Sequence, residues 1–119
     1  MDRCFNVIFY RNHNNKSPFV DFLDSLDNKL RAKTLMMVSL LEKYGNSLRE
    51  PYTKNLKDGL FELRAISGSN ITRSLFFFYL NRNIVITNGF VKKTKKTPKS
   101  EIELAKKYRD DYIKRNGNE

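Results

Sequence analysis

The stretch from Gly59 to Pro98, GLFELRAISGSNITRSLFFFYLNRNIVITNGFVKKTKKTP, holds three apolar, β-rich runs in succession, 60–66, 71–80 and 84–90. Turn residues separate them, first Ser67-Gly68-Ser69-Asn70 and then Asn81-Arg82-Asn83. This is the pattern of a meander of antiparallel strands. Two arginines, Arg64 and Arg73, stand inside strands that are otherwise mostly apolar. A lysine cluster follows the third strand directly: Lys92, Lys93, Lys95, Lys96 and Lys99, with no acid among them. A sheet carrying cations in this way is a platform for an RNA backbone.

The flanks of this stretch supply a fourth strand and three helices. Residues 3–10 alternate, with Phe5, Val7 and Phe9 on one face and Asn6 and Ile8 on the other, as in a half-buried strand. An Asn-rich loop with His13 follows. Ser17-Pro18 opens a helix, since Ser caps and Pro suits the first helical position. Phe19, Phe22, Leu23 and Leu26 then form one apolar stripe. Asp27 caps a second helix that Gly45 ends. That helix carries Leu30, Met37, Val38, Leu41 and Tyr44 on one side, with Leu35, Met36 and Leu40 beside them. This surface is wider than one sheet contact needs, so either the first helix covers its flank or a partner does. Residues 46–58 read as a loop containing Pro51, Lys54 and Lys57. Thr97-Pro98 signals another helix start, and a helix over about 99–114 turns Ile102, Ala105, Tyr108 and Tyr112 inward. The expected order is strand, helix, helix, three strands, helix. That describes an α+β fold, a small four-stranded antiparallel sheet with helices packed mainly on one face.

The chain has 119 residues, enough for a single domain spanning 1–119 with a modest core. Its 39% hydrophobic content, with nine Phe and six Tyr, excludes a disordered chain. No apolar run approaches the roughly 20 residues of a membrane span, and the N-terminus MDRCFNV lacks a secretion pattern. Cys4 is the only cysteine, so no internal disulfide or cysteine metal cluster forms. A cytoplasmic location is the expectation. The 23 basic and 13 acidic residues give a net charge of +10, a field that attracts polyanions. Half of that net charge lies from Lys92 onward.

Several chemistries lack their residues. Asp and Glu are scattered rather than clustered for Mg²⁺. There is no Gly-rich phosphate loop, no zinc-ligand spacing and no nucleophile elbow. His13 is the only histidine, which excludes a two-histidine ribonuclease mechanism. What remains is cations on a sheet. RNA is cut without metal when its own 2′-hydroxyl attacks the neighbouring phosphate, and fixed guanidinium and ammonium groups stabilise the charge that develops. Arg64 and Arg73 suit this task because their planar, always-charged heads bind phosphate oxygens in pairs. The alternative for each is a surface position or an ion pair with Glu62. Glu62 is either a general base or the partner that orients Arg64. Lys92 and Lys93, next to other cations, are candidates for proton transfer. Lys54, Lys57, Lys95, Lys96 and Lys99 are candidates for RNA binding alone. Phe90 and Tyr79 are candidates for base stacking, and Tyr79 also for assisting proton transfer. No metal or other cofactor is called for.

GLFELR, an arginine entering an aromatic strand, and the run GF-x-KK-x-x-KTP over 89–98 together resemble the HigB-type toxins of bacterial toxin–antitoxin pairs. These belong to the RelE/ParE superfamily, in its phage-protein-like branch, and the resemblance extends over nearly the whole chain. It implies a RelE-like fold and a toxin that enters the ribosomal A site, against 16S rRNA, and cleaves mRNA as an endoribonuclease. It also implies a helix-turn-helix antitoxin, HigA-like, through which alone the pair would reach its DNA operator. By position, the active site of such toxins falls on Arg64, Arg73, Lys92 and Lys93. Some relatives carry a histidine or a dense acid–base set where this chain has Phe90 and lysines, which leaves the general base open. The same fold also serves ParE-like toxins that bind DNA gyrase and cut nothing, and a non-catalytic nucleic-acid-binding module is a third reading.

Overall fold

In the computed structural model, which describes residues 5–93 and 95–117, the chain runs β1 (Asn6–Phe9), α1 (Pro18–Asp24), α2 (Asn28–Tyr44), a 3₁₀ turn (Gly45–Ser47), β2 (Thr53–Lys57), β3 (Leu60–Ser67), β4 (Asn70–Tyr79), β5 (Asn83–Val91) and α3 (Lys99–Asn116). Arg3 and Cys4 lie outside the described residues. The caps read from sequence form: the Ser17 hydroxyl accepts from the Val20 N–H and the Asp27 carboxylate from the Leu30 N–H. Each satisfies one of the donors a helix start leaves without a partner. Gly45 ends α2 with a φ of 52°.

The strands form one five-stranded mixed sheet in the order β1-β5-β4-β3-β2. Two expectations are corrected here. The sheet is neither four-stranded nor wholly antiparallel, because β1 runs parallel to β5 and pairs Asn6 with Asn83 through Phe9 with Ile86. The second difference is β2, which occupies part of the segment read as a loop and pairs antiparallel with β3. As an edge strand with one solvated side, it needs few apolar residues to be stable, so TKNLK carries no strong strand pattern.

The helices also lie on both faces of the sheet, not mainly on one. Phe19, Leu23, Leu30, Met37 and Leu41 of α1 and α2 pack on Leu63, Phe76, Ile84 and Ile86. On the opposite face Ala105, Ile102, Tyr108 and Tyr112 of α3 pack on Leu60, Leu75, Phe77 and Val85. The cause is visible in β4, where residues 72–77 are buried throughout and the aromatic run supplies apolar groups to both sides. A sheet apolar on both faces stays stable only with both covered.

Coverage by α3 is incomplete. Its first turn is fixed where the Asn88 amide donates to the Glu101 backbone oxygen at 3.3 Å and to its carboxylate at 3.0 Å. Beyond Asn88, toward the turn at Gly68-Ser69, the α3 face of β3, β4 and β5 is left to the segment between β5 and α3. Ile66 is 56% exposed there.

Candidate nucleic-acid interface

The register of the meander brings the two arginines together. The two-residue turn at Gly68-Ser69 pairs Ser67 with Asn70, and this places Arg64 directly opposite Arg73. Arg73 is in turn opposite Phe90 of β5. The next row on the same face is Lys54, Glu62 and Leu75. Alternation along each strand puts Glu62, Arg64, Arg73 and Phe90 on the α3 face.

Two like charges opposite each other on a sheet repel, and Glu62 offsets this. Its carboxylate is fully buried and lies 3.1 Å from Arg64 Nε and 3.2 Å from Arg73 Nη1. Arg73 is only 2% exposed. A buried pair of this kind needs further hydrogen bonds to offset the desolvation of both ions. Thr97 supplies one by donating from its hydroxyl to Glu62 Oε1. The same hydroxyl oxygen accepts from Arg73 Nη1 at 3.2 Å, and the Lys95 carbonyl accepts from Arg73 Nη2 at 3.3 Å. Thr97 does not cap α3, as its position before Pro98 suggested; its side chain turns into the sheet instead. Arg73 Nε, also buried, has no partner among the described residues.

The two arginines therefore differ in what they can reach. Arg73 is enclosed by Glu62, Thr97 and Lys95. The Arg64 side chain is 23% exposed and is held only through Nε, so its two terminal nitrogens are without partners among the described residues. Such a fork matches the spacing of two phosphate oxygens. Half-buried Lys54 lies opposite Glu62 on the neighbouring strand, half-buried Phe90 lies two strands from Arg64 across Arg73, and half-buried Lys92 and exposed Lys93 follow Phe90 in the chain. The Lys92 N–H donates to the Ile71 carbonyl at 2.7 Å and extends the β5 ladder by one step. Lys95, Lys96 and Lys99 are exposed along the same segment and the start of α3.

Other candidates lie elsewhere. Tyr79 is six residues along β4 from Arg73, about 20 Å at a rise of roughly 3.3 Å per residue. Its ring meets Tyr112 at 5.2 Å, under the far end of α3. Lys57 sits at the β2–β3 turn with a φ of 79°, two rows from Glu62. Beside it Asp58 pairs with Lys106 at 2.9 Å, and that ammonium holds the Asp58 carboxyl below its ordinary range. His13 is exposed in the loop between β1 and α1. Among the described residues no three His, Cys, Asp or Glu side chains group in a way that could hold a metal ion. No helix there is long and apolar enough to cross a membrane.

The residue that sequence reasoning missed is Thr97. Its partner Glu62 is 35 positions away, and no local spacing announces the contact. The only signal was its place in the KTP run.

This chain belongs to the family described as Phage derived protein Gp49-like (DUF891), whose model matches residues 21–110. That span takes in the end of α1, all of α2, the whole meander, the lysine segment and most of α3. The family is associated with RelE/ParE-like toxins of toxin–antitoxin pairs. A comparison with curated proteins finds no match.

Proposed function

We propose that this protein is the toxin of a type II toxin–antitoxin pair, of the HigB type, and that it cleaves mRNA on the ribosome in the cytoplasm. The observation that carries the reading is the Arg64 guanidinium. It is mounted on a rigid strand, oriented through Nε by a buried carboxylate, and open at its terminal nitrogens among the described residues. In this reading Arg64 grips the nonbridging oxygens of the scissile phosphate. The RNA's 2′-hydroxyl attacks that phosphate, a cyclic phosphodiester forms and the 5′-oxygen departs with a proton. Lys92 and Lys93 neutralise the developing charge; the 2′-hydroxyl proton passes to solvent water, and the ammonium of one of the two lysines gives the 5′-oxygen its proton. Lys54 and the exposed lysines of the 92–99 segment hold the backbone on either side, and Phe90 offers a ring to a base. Glu62 and Arg73 act from beneath as positioning groups, since neither has an open face. The partner is a helix-turn-helix antitoxin, HigA-like, that presents acidic groups to this surface.

Induction of the chain in cells, with new mRNA 5′ ends mapped by codon, tests the reading. Cuts in register with translation, lost in Arg64→Ala, are expected. Growth arrest without cuts but with lost DNA supercoiling would replace this reading with a gyrase-binding toxin. Binding of nucleic acid with neither effect would leave a non-catalytic module.

A further inference from the structure

The segment between β5 and α3 carries the lysines, and two of its described residues, Lys95 and Thr97, hydrogen-bond to one buried ion pair of the sheet. Arg73 Nη2 donates to the Lys95 carbonyl, and the Thr97 hydroxyl bridges Arg73 Nη1 and Glu62 Oε1. Thr97 is thus both donor and acceptor within a buried pair of opposite charges, a role that valine cannot fill and serine can. The backbone on either side is held by other means, at Lys92 N–H to Ile71 and by Asn88 to Glu101.

We infer that Thr97 is a positioning residue: its hydroxyl fastens the segment beyond the Lys92 ladder bond to the Glu62–Arg73 pair and so sets where Lys93 and Lys95 stand relative to Arg64. This inference rests on the proposed cleavage at Arg64, and it adds a residue that touches no substrate. Its physical basis is that the bonds are charge-assisted and end on two buried ions, so removing the hydroxyl leaves both short of a partner. Displacement of catalytic groups by about 1 Å costs on the order of a hundredfold in rate.

The test compares wild type, Thr97→Val and Thr97→Ser as purified full chains. Three readouts are taken: single-turnover cleavage of mRNA on saturating ribosomes, affinity for a short single-stranded RNA, and amide hydrogen exchange over 92–98. For Thr97→Val a rate loss of about a hundredfold is expected, with RNA affinity changed less than about threefold because the lysines are still present. Exchange over 92–98 should rise while the β4 amides stay protected. Thr97→Ser should restore all of these. Wild-type cleavage by Thr97→Val, failure of Thr97→Ser to rescue, or exchange rising throughout the sheet would overturn the inference. If the wild type itself cuts nothing, the function proposed above fails. Hydrogen exchange then decides the fastening alone: unchanged 92–98 amides in Thr97→Val would sink it, and a local rise reversed by serine would uphold it.

Discussion

Arg64 and Arg73 have the same side chain and face each other across one strand pair, yet their surroundings divide their roles. Arg73 is part of the interior and Arg64 is its outward extension, with Glu62 joining them. Stability and activity should therefore separate. Glu62→Gln leaves two guanidiniums without their counter-charge, one of them buried, and should cost about 3–5 kcal/mol in chemical denaturation. Arg64→Ala removes a partly exposed group while Arg73 keeps Glu62 paired, so its cost should stay within about 1 kcal/mol. It should nonetheless abolish growth arrest. A toxic Arg64→Ala that folds normally would show that the open fork does not face the substrate. The place of both arginines inside strands was legible from the apolar runs around them, and the two-residue turn at Gly68-Ser69 fixes that they are opposed. Their division of labour was not. It depends on a loop that returns over one of them, and nothing in ELR or ITR announces that loop.

At the scale of elements, the meander and all three helices were readable because their periodicity is strong and their starts carry caps. β2 was not, since an edge strand of polar residues shares its composition with a loop. The placement of α3 on the second face was missed, since helices were expected mainly on one face, although the apolar run LFFFY marks a strand covered on both sides. Gly89 shows how tightly the first face is closed: a Cβ there would lie 2.6 Å from the Phe22 ring of α1. Gly89→Ala should destabilise by about 1–3 kcal/mol through overpacking, measured by urea unfolding. An unchanged midpoint would mean that α1 yields freely. The C-terminal half of α3 is tied to the end of β1 by the Tyr10 hydroxyl, which donates to Asp111 at 2.6 Å, with Arg115 on the same carboxylate at 2.7 Å. Burial, then the bond to Asp111, pushes the Tyr10 pKa up from 10.0 to about 12. A raised folded value means that this contribution is complete below the unfolded pKa and is lost as pH climbs from about 10 to about 12. Melting temperature followed across that alkaline range should fall less steeply in Tyr10→Phe. The Asp111 carboxyl is held low, first by Arg115 and then by Tyr10, so its contribution is lost on the acid side instead. Equal alkaline slopes for Tyr10→Phe and wild type would remove Tyr10 from this account.

For the whole molecule, a net charge of +10 gives a long-range pull on any polyanion, whereas in the proposed function the short-range grip falls to Lys54, Arg64, Lys92 and Lys93. Four phosphate contacts predict that affinity for single-stranded RNA falls with salt at a log–log slope of roughly −3. Anisotropy titrations over about 50–200 mM salt measure it, and a slope near zero would exclude phosphate contacts as the source of binding. The sheet's one parallel pairing has a temporal meaning as well. β1 is made first, but its mate β5 begins 77 residues later. At synthesis rates of about 5–20 residues per second, that strand waits roughly 4–15 s for a neighbour. Thr97 and the lysines emerge later still. The newborn polypeptide thus has no assembled cationic surface until β5 and the lysine segment after it have both been made.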